Sequence, residues 1–204
     1  MPATAFRKQS STAFMKPWIT AINPAINSME TENNQKSGLQ AQIQSLRSGN
    51  RTAIIGTLKE IRSTGSVPVL PELFELLLNM EDDQIIAEIT FLLNDLKDQE
   101  AAEVLAEAIG NPLYKTIWTT LVAACWQNGL SYGKYVDTFV DVAITGEYYT
   151  AIEAFTVIEE AIGEIEMEQR NRISNTLKTR MDEADDRKKP LLHELVKVVS
   201  GYPG

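Results

Sequence analysis

The sequence predicts an all-α protein built from antiparallel helix pairs stacked in chain order. Three observations carry this reading. Apolar residues recur at i, i+3/i+4 and i+7 from Arg51 to Ile162, the spacing of one helix face. Each periodic run closes on Gly, Asn or Asp, residues that end one helix or open the next. The runs also recur in pairs: Ile54 to Ile85 is 31 positions, Ile85 to Ile117 is 32, and Ile117 to Ile152 is 35. A helix pair repeating every thirty-odd residues buries its apolar face against its neighbours, as in a short α-solenoid. About four pairs plus terminal capping helices are expected over residues 39–204.

In chain order, residues 1–38 are rich in Ser, Thr, Asn and Pro with no sustained period, and are expected to be a disordered tail. Met29 opens the polar stretch METENNQKSG, so residues 1–28 read most simply as an over-extended start. Their Ser/Thr-rich, acid-free composition also resembles an organellar transit peptide. Leu39, Ile43 and Leu46 form a lead-in helix that covers the open end of the stack.

In the first pair, Ile54, Ile55, Leu58 and Ile61 form a stripe that Gly65 ends. Pro71 sits in the first turn of the second helix, where its missing N–H costs nothing, and Leu73, Leu76, Leu77 and Met80 follow. Asp82 or Asp83 caps the third helix, whose stripe of Ile85, Ile86, Ile89, Leu92, Leu93 and Leu96 is wide. Asp98 caps the fourth, with Ala101, Val104, Leu105, Ala108 and Ile109 inward.

Asn111-Pro112 starts one helix that runs to Gln127, and Ser131 caps the next, ended by Gly146. Ile152, Phe155, Val157 and Ile158 serve the seventh helix. A longer, charged helix is expected from Glu164 to about Asp186, on a thin stripe of Ile165, Ile173, Leu177 and Met181. Pro190 starts the last helix, a C-terminal cap carrying Leu191, Leu192, Leu195, Val198 and Val199.

The segment VPVLPELFELL and the Gly or Asp stops between pairs resemble HEAT-like repeats over roughly residues 50–163. The Asp-x-x-x-Arg of such repeats is absent, since Asp82 is followed at the fifth position by Ile86. The resemblance implies a binding scaffold, with second helices lining one concave side, and carries no catalytic residue over.

Composition narrows the partners. Net charge is −9, and residues 1–29 hold Arg7, Lys8 and Lys16 without an acid, which leaves −12 on the remainder. An acidic body repels phosphate, which argues against nucleic acid and anionic membranes. Neither a secretory signal nor an apolar run of membrane-spanning length is present. The single cysteine, Cys125 in LVAACW, reads as a buried hydrophobe and fits a reducing compartment, here taken as cytoplasmic.

Candidate chemistry fails residue by residue. His193 begins HELVK, with Lys197 where a zinc site needs a second His. Gly129 to Tyr135 has the wrong spacing for a phosphate loop, and no strand precedes it. Glu159-Glu160 and Asp185-Asp186 are adjacent on helices, about 100° apart, and form no dyad. No catalytic residue, metal ligand or cofactor is therefore assigned.

What remains is a surface. The second helix of each pair carries polar residues at i, i+3 and i+7: Glu72, Glu75 and Asn79; Glu100, Glu103 and Glu107; Lys134, Asp137 and Asp141. A polar face opposite an apolar one is the ordinary design of a surface helix. If the helices lie side by side, the rows form one acidic groove for a basic segment of another protein. Aromatics concentrate between Tyr114 and Phe155, as a core would require. Trp126, Tyr132 and Tyr148 fall at helix ends or off the main stripes and are the candidates for an exposed anchor, Trp126 or Tyr132 at the groove's edge. The expected function is a non-enzymatic protein–protein scaffold. The alternatives are a HEAT-like enzyme or accessory of DNA-repair or bilin-lyase type, and a structural subunit of an oligomer.

Overall fold

The computed structural model describes residues 36–65 and 67–201. The expectations for residues 1–35, the disordered tail and its over-extended start or transit peptide, lie outside the described residues. The chain divides into two compact units, Met1–Ala41 and Gln42–Gly204. Of the first, residues 36–41 are described, and all are helical.

Ten helices and no strand occur among the described residues. They are α1 (residues 36–46), α2 (Arg51–Thr64), α3 (Leu70–Asn79), α4 (Asp83–Asn94) and α5 (Glu100–Gly110). There follow α6 (Trp118–Asn128), α7 (Val136–Thr145), α8 (Tyr148–Ala161), α9 (Met167–Arg180) and α10 (Lys189–Gly201).

Local chemistry explains several of the boundaries. Asn50 Oδ1 accepts from the Ala53 amide at 3.1 Å and opens α2. Asp82 Oδ1 takes the amides of Gln84 and Ile85 at 3.0 and 3.2 Å and opens α4. These caps satisfy N–H groups that a helix start leaves without partners. Gly129 ends α6 at φ 69°, ψ 24°, a left-handed conformation that glycine adopts without a Cβ penalty.

Four boundaries differ from the sequence reading. Residues 36–38, assigned to the tail, are helical. Asn111 caps a 3-10 turn, Pro112–Ile117, and the α-helix begins only at Trp118. Ser131 is not the cap of α7: its hydroxyl donates to Glu164 at 2.6 Å, and a 3-10 turn, Gly133–Tyr135, intervenes. The long charged helix expected from Glu164 is interrupted at both ends by 3-10 turns, Ile162–Glu164 and Met181–Glu183. Its stripe of Ile165, Ile173, Leu177 and Met181 is nonetheless buried.

Helices two apart in sequence pack together. One row runs α2 on α4, α4 on α6, α6 on α8 and α8 on α10. The other runs α3 on α5, α5 on α7 and α7 on α9. Between them lies the core, with Ile54, Leu58, Leu73, Ile89, Leu93, Leu105, Leu121 and Phe139 almost wholly buried. In α3 it is Phe74, rather than Leu76, that joins this core.

Polar links repeat the same period. Thr119 bonds Thr150 at a separation of 31 residues, Gln99 bonds Ser131 at 32, and Asn94 bonds Gln127 at 33. These bonds join α6 to α8, the turn before α5 to the turn before α7, and α4 to α6.

Candidate functional site

The packing of α3 on α5 and α5 on α7 brings the three acidic rows onto adjacent helices. Glu75, Glu100, Glu103, Glu107, Asp137 and Asp141 are exposed, and Glu72 is half-buried. Lys134 lies in the 3-10 turn before α7, outside the regular helix.

The chain neutralises the two ends of this set itself. Arg47 donates to both oxygens of Glu72, at 2.9 and 2.6 Å, and the carboxylate holds the guanidinium's pKa above its ordinary value. Glu75 accepts from the Tyr114 hydroxyl at 2.7 Å, which with burial pushes that phenol up. Arg180 pairs with Glu183 at 2.9 Å and also with Asp141, two acids that raise its pKa together.

The centre is different. The side-chain carboxylates of Glu100, Glu103, Glu107 and Asp137 accept no hydrogen bond and form no ion pair among the described residues. Their field is nonetheless felt locally: burial and then the Glu103 and Glu107 charges push the Tyr135 phenol up.

Of the two groove-edge anchors, Trp126 is exposed as expected and Tyr132 is placed otherwise. Tyr132 is only 3% exposed, so it is no protruding anchor. Its ring meets Phe139 edge-on at 5.5 Å, and its hydroxyl bonds the buried side chain of Asn128 at 3.1 Å. The reason is local: the turn after Gly129 folds back on α6, and a large ring there gains more from the core than from water. Trp126 is 36% exposed, but its Nε1 donates to Glu153 on α8 at 2.6 Å, so its partner is not a residue of α3, α5 or α7.

A feature missed in the sequence lies beside Tyr132. A cleft of about 190 Å³ opens at the α6–α7 turn, against the C-terminal end of α8. Cys125, Tyr132, Val157 and Ala161, all buried, line it, with Leu130, Glu160 and Glu164 among the residues around it. Glu164 Oε2 accepts from the Ser131 hydroxyl and from the Gly133 amide, at 2.6 and 2.9 Å. Gly133 makes this possible, since a Cβ there would lie 2.7 Å from the Glu164 Cβ.

The cleft adjoins the start of the central acidic row. Gln99, the residue before α5, exchanges two hydrogen bonds with the Ser131 backbone at 2.8 and 2.9 Å. The sequence reading touches this site at Cys125, at the rejected Gly129 to Tyr135 loop, at Tyr132 and at Glu160, but does not bring them together.

The Cys125 thiol donates to the Leu121 carbonyl at 3.2 Å, and burial pushes its pKa up to about 12. His193 is exposed. Among the described residues, no group of three or more His, Cys, Asp or Glu is placed to hold a metal ion. None of the described helices is long and apolar enough to cross a membrane. Comparison with known proteins returned no match: no family model, no curated protein and no solved structure is significantly similar to this chain.

Proposed function

We propose that the chain is a non-enzymatic interaction scaffold of the cytoplasm, a short HEAT-like α-solenoid that binds a Lys- or Arg-rich segment of another protein. The solenoid reading is supported by the i, i+2 packing of helices and by polar links at 31 to 33 residues. Repeats that contact only their neighbours leave a continuous second-helix surface available to a partner.

One observation carries the functional reading. Glu100, Glu103, Glu107 and Asp137 share adjacent, packed helices and are exposed without a cation of their own among the described residues. Carboxylates held close together focus negative potential and steer a basic segment to the surface. Because the chain's own Arg47 and Arg180 already hold Glu72 and Asp141, the central row is the effective part.

The test is capture of a fluorescent Lys-rich peptide by the full chain and by a Glu103→Lys/Glu107→Lys/Asp137→Lys variant. Each exposed ion pair is worth about 0.2–1 kcal/mol, so losing three weakens capture by roughly 3- to 150-fold. Capture by the unaltered chain weakens as salt rises, because the Debye length falls from about 10 Å at 0.1 M to about 3 Å at 1 M. A variant that folds normally and captures the peptide as well as the original overturns the reading.

A further inference from the structure

We propose that the cleft at the α6–α7 turn receives one alkyl-cation, the ammonium or guanidinium end of a Lys or Arg side chain. It rests on the acidic-surface reading only for the macromolecule that carries that side chain. The cleft's own chemistry stands apart from it.

Size comes first. At about 190 Å³ the cleft is smaller than the roughly 300–1,000 Å³ of a drug-sized site, so it fits one side chain and no large cofactor. Its buried residues suit an alkyl stem. Val157 and Ala161 are apolar, the Cys125 thiol already donates to Leu121, and the Tyr132 hydroxyl is bonded to Asn128. Methylenes entering there meet Cys125 and Tyr132 side chains whose polar groups already have partners, while the rest of the accessible wall is largely polar.

Charge then selects the head group. Glu160 and Glu164 stand one helical turn apart beside the cleft, and both are exposed. Glu164 Oε2 is committed to Ser131 and Gly133, whereas its Oε1, like both oxygens of Glu160, takes no hydrogen bond from a described residue. The start of α7 would favour an anion, but Glu164 already meets it. Two like charges at this spacing repel, and a cation between them relieves that repulsion. Long basic side chains bury their stems along apolar surface while the charged end stays at the polar edge, which is the arrangement this cleft offers.

The reciprocal Gln99–Ser131 bonds set the cleft beside the residue that opens α5. A basic segment lying along Glu100, Glu103 and Glu107 therefore ends within reach of it.

The test titrates the methyl-labelled full chain with pentylammonium, butylguanidinium and, as the neutral control, pentan-1-ol, reading the Ala161, Val157 and Leu130 methyl signals. Saturable shifts are expected with the cations and markedly weaker binding with the alcohol. The stronger of the two cations tells Lys from Arg. Glu160→Gln, at an exposed position, weakens binding roughly 1.4- to 5-fold, and Ala161→Phe fills the cleft and abolishes it. Where Ala161→Phe does not fold, Glu160→Lys serves instead, its own ammonium competing for the site. Absence of saturable shifts, an equal response to the alcohol, or indifference to Glu160→Gln overturns the proposal. A chain that captures the Lys-rich peptide through its α5 row yet binds neither small cation refutes the cleft alone. One that binds the cations but is indifferent to reversal of that row refutes the acidic-surface reading alone.

Discussion

The Lys188 ammonium lies 2.6 Å from the Gly146 carbonyl oxygen and also donates to the Ile144 carbonyl. These groups end α7, where the last carbonyls of a helix lack partners and carry its negative pole. Lys188 is only 4% exposed, so burial pushes its pKa down, with Asp185 opposing and Lys115 adding to that shift. It immediately precedes α10, and it fastens that helix's start to α7.

Lys188→Met keeps the buried stem and removes the donor. The two stranded carbonyls each cost about 1–3 kcal/mol, so a loss of roughly 2–6 kcal/mol is expected in urea unfolding. A midpoint within error of the original would mean that water replaces the ammonium.

Two glycines should respond in opposite directions to alanine. Gly133→Ala drives a Cβ to 2.7 Å from Glu164 and should cost about 1–3 kcal/mol, loosening the Glu164 bonds to Ser131 and Gly133. Gly56 lies in the middle of α2, exposed and with nothing near its Cβ direction. Gly56→Ala should add about 0.4–1 kcal/mol. Thermal melts of the two variants decide both claims.

Asp82 predicts an acid-side signature. The Arg51 guanidinium at 2.6 Å, then the Ile85 and Gln84 amides, hold its carboxyl below the usual range. The folded chain therefore gives up this proton more readily than the unfolded one. The stabilisation is complete above the unfolded carboxylate's pKa and is lost as pH falls through the lower folded value. The original should exceed Asp82→Asn in stability at neutral pH, and the gap should close below about pH 4. A gap that persists undiminished at lower pH contradicts this account.

Cys125 should be silent in the native state. Its thiol is 1% exposed and its pKa is pushed up to about 12, so almost no thiolate exists at neutral pH. A disulfide reagent at about pH 8 should react only as fast as the chain unfolds. Rapid labelling without denaturant would show that the α6–α7 turn opens.

Much of the architecture was legible because its causes are local. The stripe Ile54, Leu58, Ile61 is one face of a single helix, and Asn50 and Asp82 cap amides no more than three residues away. Gly129 ends α6 through its own backbone angles. The acidic rows were legible as rows, since i, i+3 and i+7 share a face whatever the helix packs against.

The pairing of those residues was decided by the tertiary structure. Lys188 sits in the charged run DDRKKP, which carries no local signal of burial. It is buried because the turn before α10 sets it against carbonyls 42 and 44 residues away. Tyr132 follows a glycine stop and reads as exposed, but that stop folds its ring onto Phe139. Arg180 finds Asp141 across 39 residues, which separates a neutralised edge of the acidic face from its open centre. Periodicity and caps depend on neighbours within a turn or two. Burial, ion pairing and the cleft depend on which distant segments meet, and helix packing settles that.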